Sequence, residues 1–402
     1  MTGFERSAAL SNIQPSATIA ITQLARDLRA EGRDIISLSI GEPDHPTPSN
    51  IVEAAHAAML RGETKYPPVG GIPELKEAVR RKFARDNTLD YALGEIIVSA
   101  GCKQVIAMAM MATLNPGDQV IVPTPYYVSY LQLAKMFGAT PIFAKTSIED
   151  GFLLRPHVLE QAITPRTKWL LLNTPGNPSG AVYGREALAA LAEVLLRRPH
   201  VMVLADDIYE HLIYDDQKFW TIAEVEPRLR GRILTANGVS KAYSMTGWRI
   251  GYAGGPPALI KVMELAQSQL TGGACRISQW AAVEALDGPQ ASVRQAREDF
   301  QRRRELVVGS LNRIAGIECR SPEGAFYAYP SCRGFLGKVT ASGREINTDE
   351  EFCKTLLEDE GVAAVHGGAF GLSPHFRISF AASEERLVEA CRRLARFCGG
   401  IH

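Results

Sequence analysis

Lys241 and Arg249 share one short stretch, residues 237–252. An apolar run (Ile233, Leu234) precedes the lysine, and a second, residues 248–252, carries the arginine, with many small and hydroxyl side chains between. An amine so placed can hold an aldehyde as a Schiff base, and a planar guanidinium can clamp a phosphate. Taken alone, the stretch reads more plainly as a surface lysine beside a salt-bridging arginine. Other segments supply matching parts. Ala100 and Gly101 ahead of Cys102 and Lys103 form a small-residue turn from strand to helix, where backbone N–H groups can reach an anion. Tyr127, after Pro125, can stack on a flat ring or fill the core. Asn177 lies in a loop with two prolines and two glycines, residues 174–180, as a donor to a ring oxygen or as a turn residue. Asp206 ends an apolar run, where a carboxylate is costly without a partner; a protonated ring nitrogen would serve. Asp207 reads as the N-cap of a following helix. Tyr209 can reach the same ring oxygen as Asn177. Arg377 interrupts the apolar strand 375–380 and needs an anion, either a structural carboxylate or a substrate's.

The elements that must position these residues follow from hydrophobic pattern. Apolar runs at 95–99, 119–123, 140–144, 169–173, 201–205, 232–236 and 249–253 are mostly rich in Ile, Val and Leu and do not alternate strictly. That is the pattern of strands buried on both faces of a mostly parallel sheet. Helical stretches at 103–114 and 185–197 lie between them, predicting a doubly wound α/β unit whose ligands gather beyond the carboxyl ends of the strands. After about residue 290 the pattern changes. Helices at 293–312, 349–360 and 383–397 alternate with strands at 321–329, 362–365 and 375–380, a smaller α+β unit that the amino-terminal segment joins. The expected division is an arm and part of the small unit (1–48), a large unit (49–290) and a small carboxy-terminal unit (291–402). Residues 331–345 read as a surface excursion.

Length alone suggests roughly two to three domains. Lys+Arg and Asp+Glu each number 44, so the formal net charge of +0 argues against a nucleic-acid footprint or a membrane-surface protein. Seven cysteines, an odd count with no C-x-x-C pair, read as reduced thiols in a reducing, cytoplasmic compartment. Residues 1–14 lack the apolar stretch of a signal peptide, and no segment has the run of a membrane helix. Eight scattered histidines, without an H-E-x-x-H, argue against metal chemistry.

Asn173-x-x-x-Asn177-Pro178-x-Gly180, Asp206-x-x-Tyr209, Ser240-Lys241 with Gly247 and Arg249, and the late Arg377 together resemble the fold-type I pyridoxal-phosphate enzymes, specifically the class I/II aminotransferases. The likeness runs from Gly41 to Arg377. Residues 240–252, 15–18 and 65–68 look most like the prokaryotic aspartate aminotransferase branch. The resemblance implies that Lys241 forms the Schiff base with pyridoxal 5'-phosphate and then acts as the base at Cα. Asp206 keeps the pyridine nitrogen protonated, Asn177 and Tyr209 hold the phenolic oxygen, and Tyr127 stacks on the ring. Gly101, Cys102, Lys103, Ser240 and Arg249 hold the phosphate. Arg377 binds the substrate α-carboxylate with Asn177 and the Gly41 backbone. Tyr66 reaches the phosphate of a neighbouring subunit, so the functional unit is a homodimer.

The expected reaction is ping-pong transamination between L-aspartate and 2-oxoglutarate. Two alternatives keep the cofactor: an aminotransferase for a neutral or aromatic amino acid, and a lyase or decarboxylase on the same scaffold. A sensor domain of a transcription regulator is disfavoured by the lack of basic excess before residue 49. Three positions depart from the branch. Tyr127 stands where tryptophan is usual, Gly238 where some relatives have a phosphate-binding serine, and Arg276 where a small hydroxyl residue is common. Arg276 reads as an ion-pair residue, with a cation for an acidic substrate side chain or the neighbour's phosphate as the alternative.

Overall fold

The computed structural model describes residues 6–11 and 13–402; residues 1–5 and 12, part of the expected arm and of the stretch read for a signal peptide, lie outside the described residues. Seven strands form the large sheet: β1 (Ile96–Ser99), β2 (Gln119–Pro123), β3 (Thr140–Ala144), β4 (Thr167–Asn173), β5 (Met202–Asp206), β6 (Ile233–Gly238) and β7 (Gly251–Gly254). Their order is β1-β7-β6-β5-β4-β2-β3. The pairs from β6 to β3 are parallel, and β7 is antiparallel to both neighbours. The inner runs lack strict alternation because both faces are covered; the edge strand β3, with Thr140 and Phe143 exposed, is the exception. Along β4, Trp169 and Leu171 enter one core, and Leu170 and Leu172 enter the other. That split is the period-two geometry of a strand.

Helices take up the intervening segments. Those that bear on the cleft are α1 (Ala17–Ala30), α2 (Cys102–Thr113), α3 (Val128–Met136) and α4 (Arg276–Asp287). The long α5 (Ala291–Leu311) then leads to a smaller antiparallel sheet of β8 (Tyr327–Ala328), β9 (Val365–His366) and β10 (Phe376–Ser379), in the order β9-β10-β8. Two further helices, α6 (Asp349–Glu360) and α7 (Glu384–Gly399), flank it. A Thr348–Glu351 capping box starts α6 and Gly361 ends it at φ 71°.

Several expectations shift. The strand at 321–329 shrinks to Tyr327–Ala328, because Pro322 has no N–H to give and the N–H groups of Glu323 and Gly324 both donate to the Gly180 carbonyl. The run 362–365 splits in two. Val362–Ala363 pairs in parallel with Ile36–Ser37, and β9 pairs with β10, which ties the amino-terminal segment to the smaller sheet. Arg249 is outside its predicted strand. It adopts φ 56°, and β7 begins only at Gly251. Asp207 is not an N-cap: residues 207–212 form turns, and the next helix starts at Ile222. Both Asp207 carboxylate oxygens are buried without a hydrogen bond. Among the described residues, no helix is long and apolar enough to cross a membrane.

Candidate active site

A cleft of about 560 Å³ opens beyond the carboxyl ends of the parallel strands, where such sheets place their ligands. The turn joining β6 to β7 lines it with Ser240, Lys241, Thr246, Gly247 and Arg249. Lys241 Nζ donates to the Gly41 carbonyl at 2.6 Å and lies 5.9 Å from the ring centroids of both Tyr209 and Phe326. Burial lowers its pKa to about 8, while Glu42 pulls it up and Arg377 and Arg249 push it down. At neutral pH an appreciable share of the amine is therefore unprotonated, as a nucleophile requires.

Arg249 folds back over the amino terminus of α2. Nη1 donates to the Thr246 carbonyl at 2.9 Å and Nη2 to the Ala100 carbonyl at 3.4 Å. Gly101, the N-cap of α2, has φ 88°, and a Cβ there would fall 2.2 Å from Arg249 Nη2. Glycine is thus required twice over, for its backbone angle and for the guanidinium above it. A helix leaves its first N–H groups unpaired, so a cation and a helix amino terminus face the same spot.

Asp206, at the end of β5, is 4% exposed. Tyr130 on α3 donates to its Oδ2 at 2.5 Å, and Cys102 Sγ lies 3.5 Å from its Oδ1. Burial raises its pKa against these two donors, the Ile208 backbone and the charge of Lys241. Among the described residues no cation lies within ion-pair distance of it. Tyr127, the N-cap of α3, stands edge-on to Tyr130 at 5.5 Å, with Lys103 Nζ 5.6 Å from its ring centroid.

Arg377 on β10 is 2% exposed. Nη1 donates to Asn177 Oδ1 at 2.9 Å and Nη2 to the Ser39 carbonyl at 2.5 Å, while Nε is buried without a partner. Its guanidinium lies 4.6 Å from the Tyr327 ring centroid and 5.0 Å from that of Phe370. The structural carboxylate considered for it does not exist among the described residues. The Asn177 N–H is held by Asn173 Oδ1 at 2.8 Å. Tyr209 and Tyr327 share a hydroxyl hydrogen bond of 2.8 Å. A Cβ on Gly41 would fall 2.4 Å from that Tyr327 hydroxyl, so the chain passes there only as glycine.

The cleft thus gathers Gly41, Cys102, Lys103, Tyr127, Asn177, Asp206, Tyr209, Ser240, Lys241, Arg249 and Arg377. Gly101 lies directly beneath Arg249. Tyr66 does not join them and is 95% exposed elsewhere on this chain. Arg276, at the start of α4, has Nε 2.6 Å from Glu63 Oε2, which is the ion pair expected for it.

Sequence reasoning missed Tyr130, Tyr327 and Ile19, and it quoted Asn173, Ser16 and Thr18 only as parts of motifs, with no place in the site. Tyr130 was findable, since Tyr127 and Tyr130 stand three apart, the spacing of one helix face. Away from the cleft, ligand atoms of Asp86, Glu210 and His211 lie within 4.8 Å of one another. Lys82 Nζ contacts Glu210, and Arg85 pairs with Asp86, so cations of the chain already serve both carboxylates.

Residues 33–394 match the family model described as aminotransferase class I and II. A protein of Rhizobium leguminosarum bv. phaseoli named a probable aspartate/prephenate aminotransferase is 57% identical, over 97% of this chain and 98% of its own length. The aspartate/prephenate aminotransferase of Cereibacter sphaeroides is 54% identical over 98% and 99%. The crystal structure of the aspartate aminotransferase from Rhizobium meliloti superposes with a TM-score of 0.97 at 52% identity, covering all of both chains. The Thermus thermophilus aspartate aminotransferase with maleate gives 0.92 at 40% identity, over 98% of this chain and 100% of its own. With coverage this complete, the chain belongs to the class I and II aminotransferases and is an aminotransferase.

Proposed function

We propose that the cleft binds pyridoxal 5'-phosphate and moves the amino group of L-aspartate to 2-oxoglutarate in two half-reactions. The observation that carries this reading is Lys241, a buried amine of lowered pKa set in one cleft with Asp206, Arg249 and Arg377. The residues present fit the cofactor. Asp206 is a buried carboxylate with no cation in ion-pair reach among the described residues, and a protonated ring nitrogen would complete it. Gly101 leaves room for Arg249 over the helix terminus, a phosphate cradle that a Cβ would fill. Lys103 and Ser240 stand on its rim, and Tyr127, Asn177 and Tyr209 remain for the ring and its oxygen.

Bound there, the cofactor supplies an electron sink for charge developing at the substrate Cα and carries the amino group between half-reactions. The chain's own residues do the rest. Arg377 presents a planar fork to the substrate α-carboxylate, already aimed by Asn177 and the Ser39 carbonyl. Lys241, once its amine is free, would take the proton from Cα and return it to the carbon on the far side of the substrate nitrogen. Gly41 holds that amine through its carbonyl. Arg249, Arg377 and Lys103 have no carboxylate partner among the described residues. Arg249 with Lys103 matches the phosphate, and Arg377 matches the α-carboxylate of a dicarboxylic substrate. The names of the relatives and the maleate of the Thermus structure support the same class. Prephenate enters as a second amino acceptor because relatives such as those of Rhizobium leguminosarum and Cereibacter sphaeroides are named for it.

A homodimer belongs to the same reading, with Tyr66 reaching the neighbour's phosphate. Leu60 (77%), Leu265 (63%) and Leu270 (56%) are exposed, apolar surface suited to a second copy. So does the division at residues 48 and 290, with α5 leading from one sheet to the other. The free cysteines support a reducing compartment such as the cytoplasm.

The test is an absorption spectrum of the purified protein. A visible band that bleaches with L-aspartate and returns with 2-oxoglutarate supports both half-reactions. A band indifferent to aspartate moves the reading to a neutral or aromatic amino acid. Ammonia or CO₂ released without an oxo acid moves it to a lyase or decarboxylase. No band after pyridoxal phosphate is supplied refutes the cofactor.

A further inference from the structure

We infer that Tyr130 is a positioning residue that, together with the Cys102 thiol, holds the Asp206 carboxylate ionised and aimed at the cofactor ring; this rests on the cofactor reading above. The argument starts from burial. A carboxylate that is 4% exposed tends to take up a proton, and a neutral acid cannot serve as counter-ion to a ring nitrogen. Three chain groups that stabilise charge face Asp206 from other elements. Tyr130 comes from α3, Cys102 from α2 and Lys241 from the turn after β6. Asp207, the next residue, adds a second buried acid, and Arg249 lies beyond Cys102.

Tyr130 is the strongest of these contacts, with its hydroxyl 2.5 Å from Oδ2. A phenol donating to a carboxylate is a charge-assisted hydrogen bond, and it favours the ionised acceptor. Burial and the nearby carboxylate raise the Tyr130 and Cys102 pKa values well above their usual ranges, so both remain donors across the working pH range. Tyr130 is also 2% exposed and edge-on to Tyr127. One helix thereby sets the ring-facing aromatic and the ring-nitrogen carboxylate together. The Asn173 side chain fixes the Asp206 backbone by donating to its carbonyl at 2.8 Å.

The sign follows. Removing the Tyr130 hydroxyl raises the proton affinity of Asp206, so the ionised form is lost at a higher pH as the solution is acidified. Pyridoxal phosphate affinity then falls earlier on the acid side. The experiment titrates cofactor-free protein with pyridoxal phosphate by absorbance from pH 5.5 to 8, for wild type, Tyr130→Phe and Cys102→Ala, with thermal melting of each cofactor-free protein. The expected result is about a tenfold or greater loss of affinity at pH 7 for Tyr130→Phe, widening as pH falls. Cys102→Ala gives a smaller loss in the same sense and carries the test should Tyr130→Phe fail to fold. A lowered melting temperature with an affinity loss equal at every pH overturns the proposal, because that is a packing effect. Unchanged affinity in both variants overturns it too. If wild type itself binds no pyridoxal phosphate, the cofactor reading fails first and this inference with it.

Discussion

Replacing Arg377 by lysine separates a planar fork from a mere positive charge. In the structure the guanidinium spends Nη1 on Asn177 and Nη2 on the Ser39 carbonyl, and it lies against Tyr327 and Phe370. A lysine ammonium keeps the charge but offers no parallel pair of donors, and its flexible stem leaves those aromatic faces. The loss is about one charge-assisted hydrogen bond, ~1.5–3 kcal/mol. At about 1.4 kcal/mol per decade, kcat/KM for L-aspartate should fall about ten- to a hundredfold. The same arginine serves amino donor and oxo-acid acceptor, so 2-oxoglutarate should lose a comparable factor. The assay is steady-state formation of oxaloacetate, coupled to NADH oxidation, with cofactor content measured on the same preparation. Arg377 touches none of the residues assigned to the phosphate, so cofactor content should not change. A kcat/KM within twofold of wild type would refute the assignment of Arg377 to the α-carboxylate.

Other outcomes follow from the same geometry. Because burial lowers the Lys241 pKa to about 8, the rate at which cofactor-free protein takes up pyridoxal phosphate should climb with pH up to about 8 and then level; a flat profile from pH 6.5 to 9 would contradict it. Gly101→Ala places a methyl group at Arg249 and forces φ 88° on a residue with a side chain; we expect a loss of about 1–2 kcal/mol in denaturant unfolding and weaker cofactor binding. Arg276→Ser breaks a half-exposed ion pair with Glu63, worth up to about 1 kcal/mol, so aspartate kinetics should stay within twofold; a marked rise in KM for aspartate would instead make Arg276 a substrate cation. Lys241→Ala should abolish turnover while leaving the melting curve of the cofactor-free protein nearly unchanged, as read by calorimetry.

Most of the large sheet was legible because its inner strands are covered on both faces and every strand is bounded by turn residues, while the edge strand β3 was legible from its apolar run alone. The run at 119–123 matches β2 and that at 140–144 matches β3. The strand-end residues Asp206 and Lys241 were legible because a charge closing an apolar run is conspicuous. Arg249 was placed on a strand because its neighbours are apolar, and nothing in the run 248–252 signals a positive φ. Asp207 looked like a cap because aspartate so often is one; here the chain turns before any helix forms. Tyr327 was hidden because a buried aromatic in an apolar stretch reads as core; the spacing of Tyr130 from Tyr127 hinted at a shared face, but only tertiary packing shows that the two hydroxyls meet Tyr209 and Asp206. The two-residue strands of the smaller sheet overlapped the runs read at 321–329 and 362–365, but their bounds escaped pattern reading because a pair of residues has no measurable period.

The two arms of the cleft have different owners. Lys241, Asp206 and Arg249 all sit at the carboxyl-end face of the large sheet, with Lys241 and Arg249 carried on a single turn. Arg377, Tyr327, Ser39 and Gly41 come from the smaller sheet and the amino-terminal segment, and Asn177 bridges the two through its bond to Arg377. The molecule is a fixed socket facing an exchangeable jaw. Changes confined to the jaw should re-tune which acids are gripped, with the socket's hold on its own ligand untouched. Changes in the socket should cost every substrate alike, and Asn177, whose amide meets Arg377 from the other side, should show both effects at once.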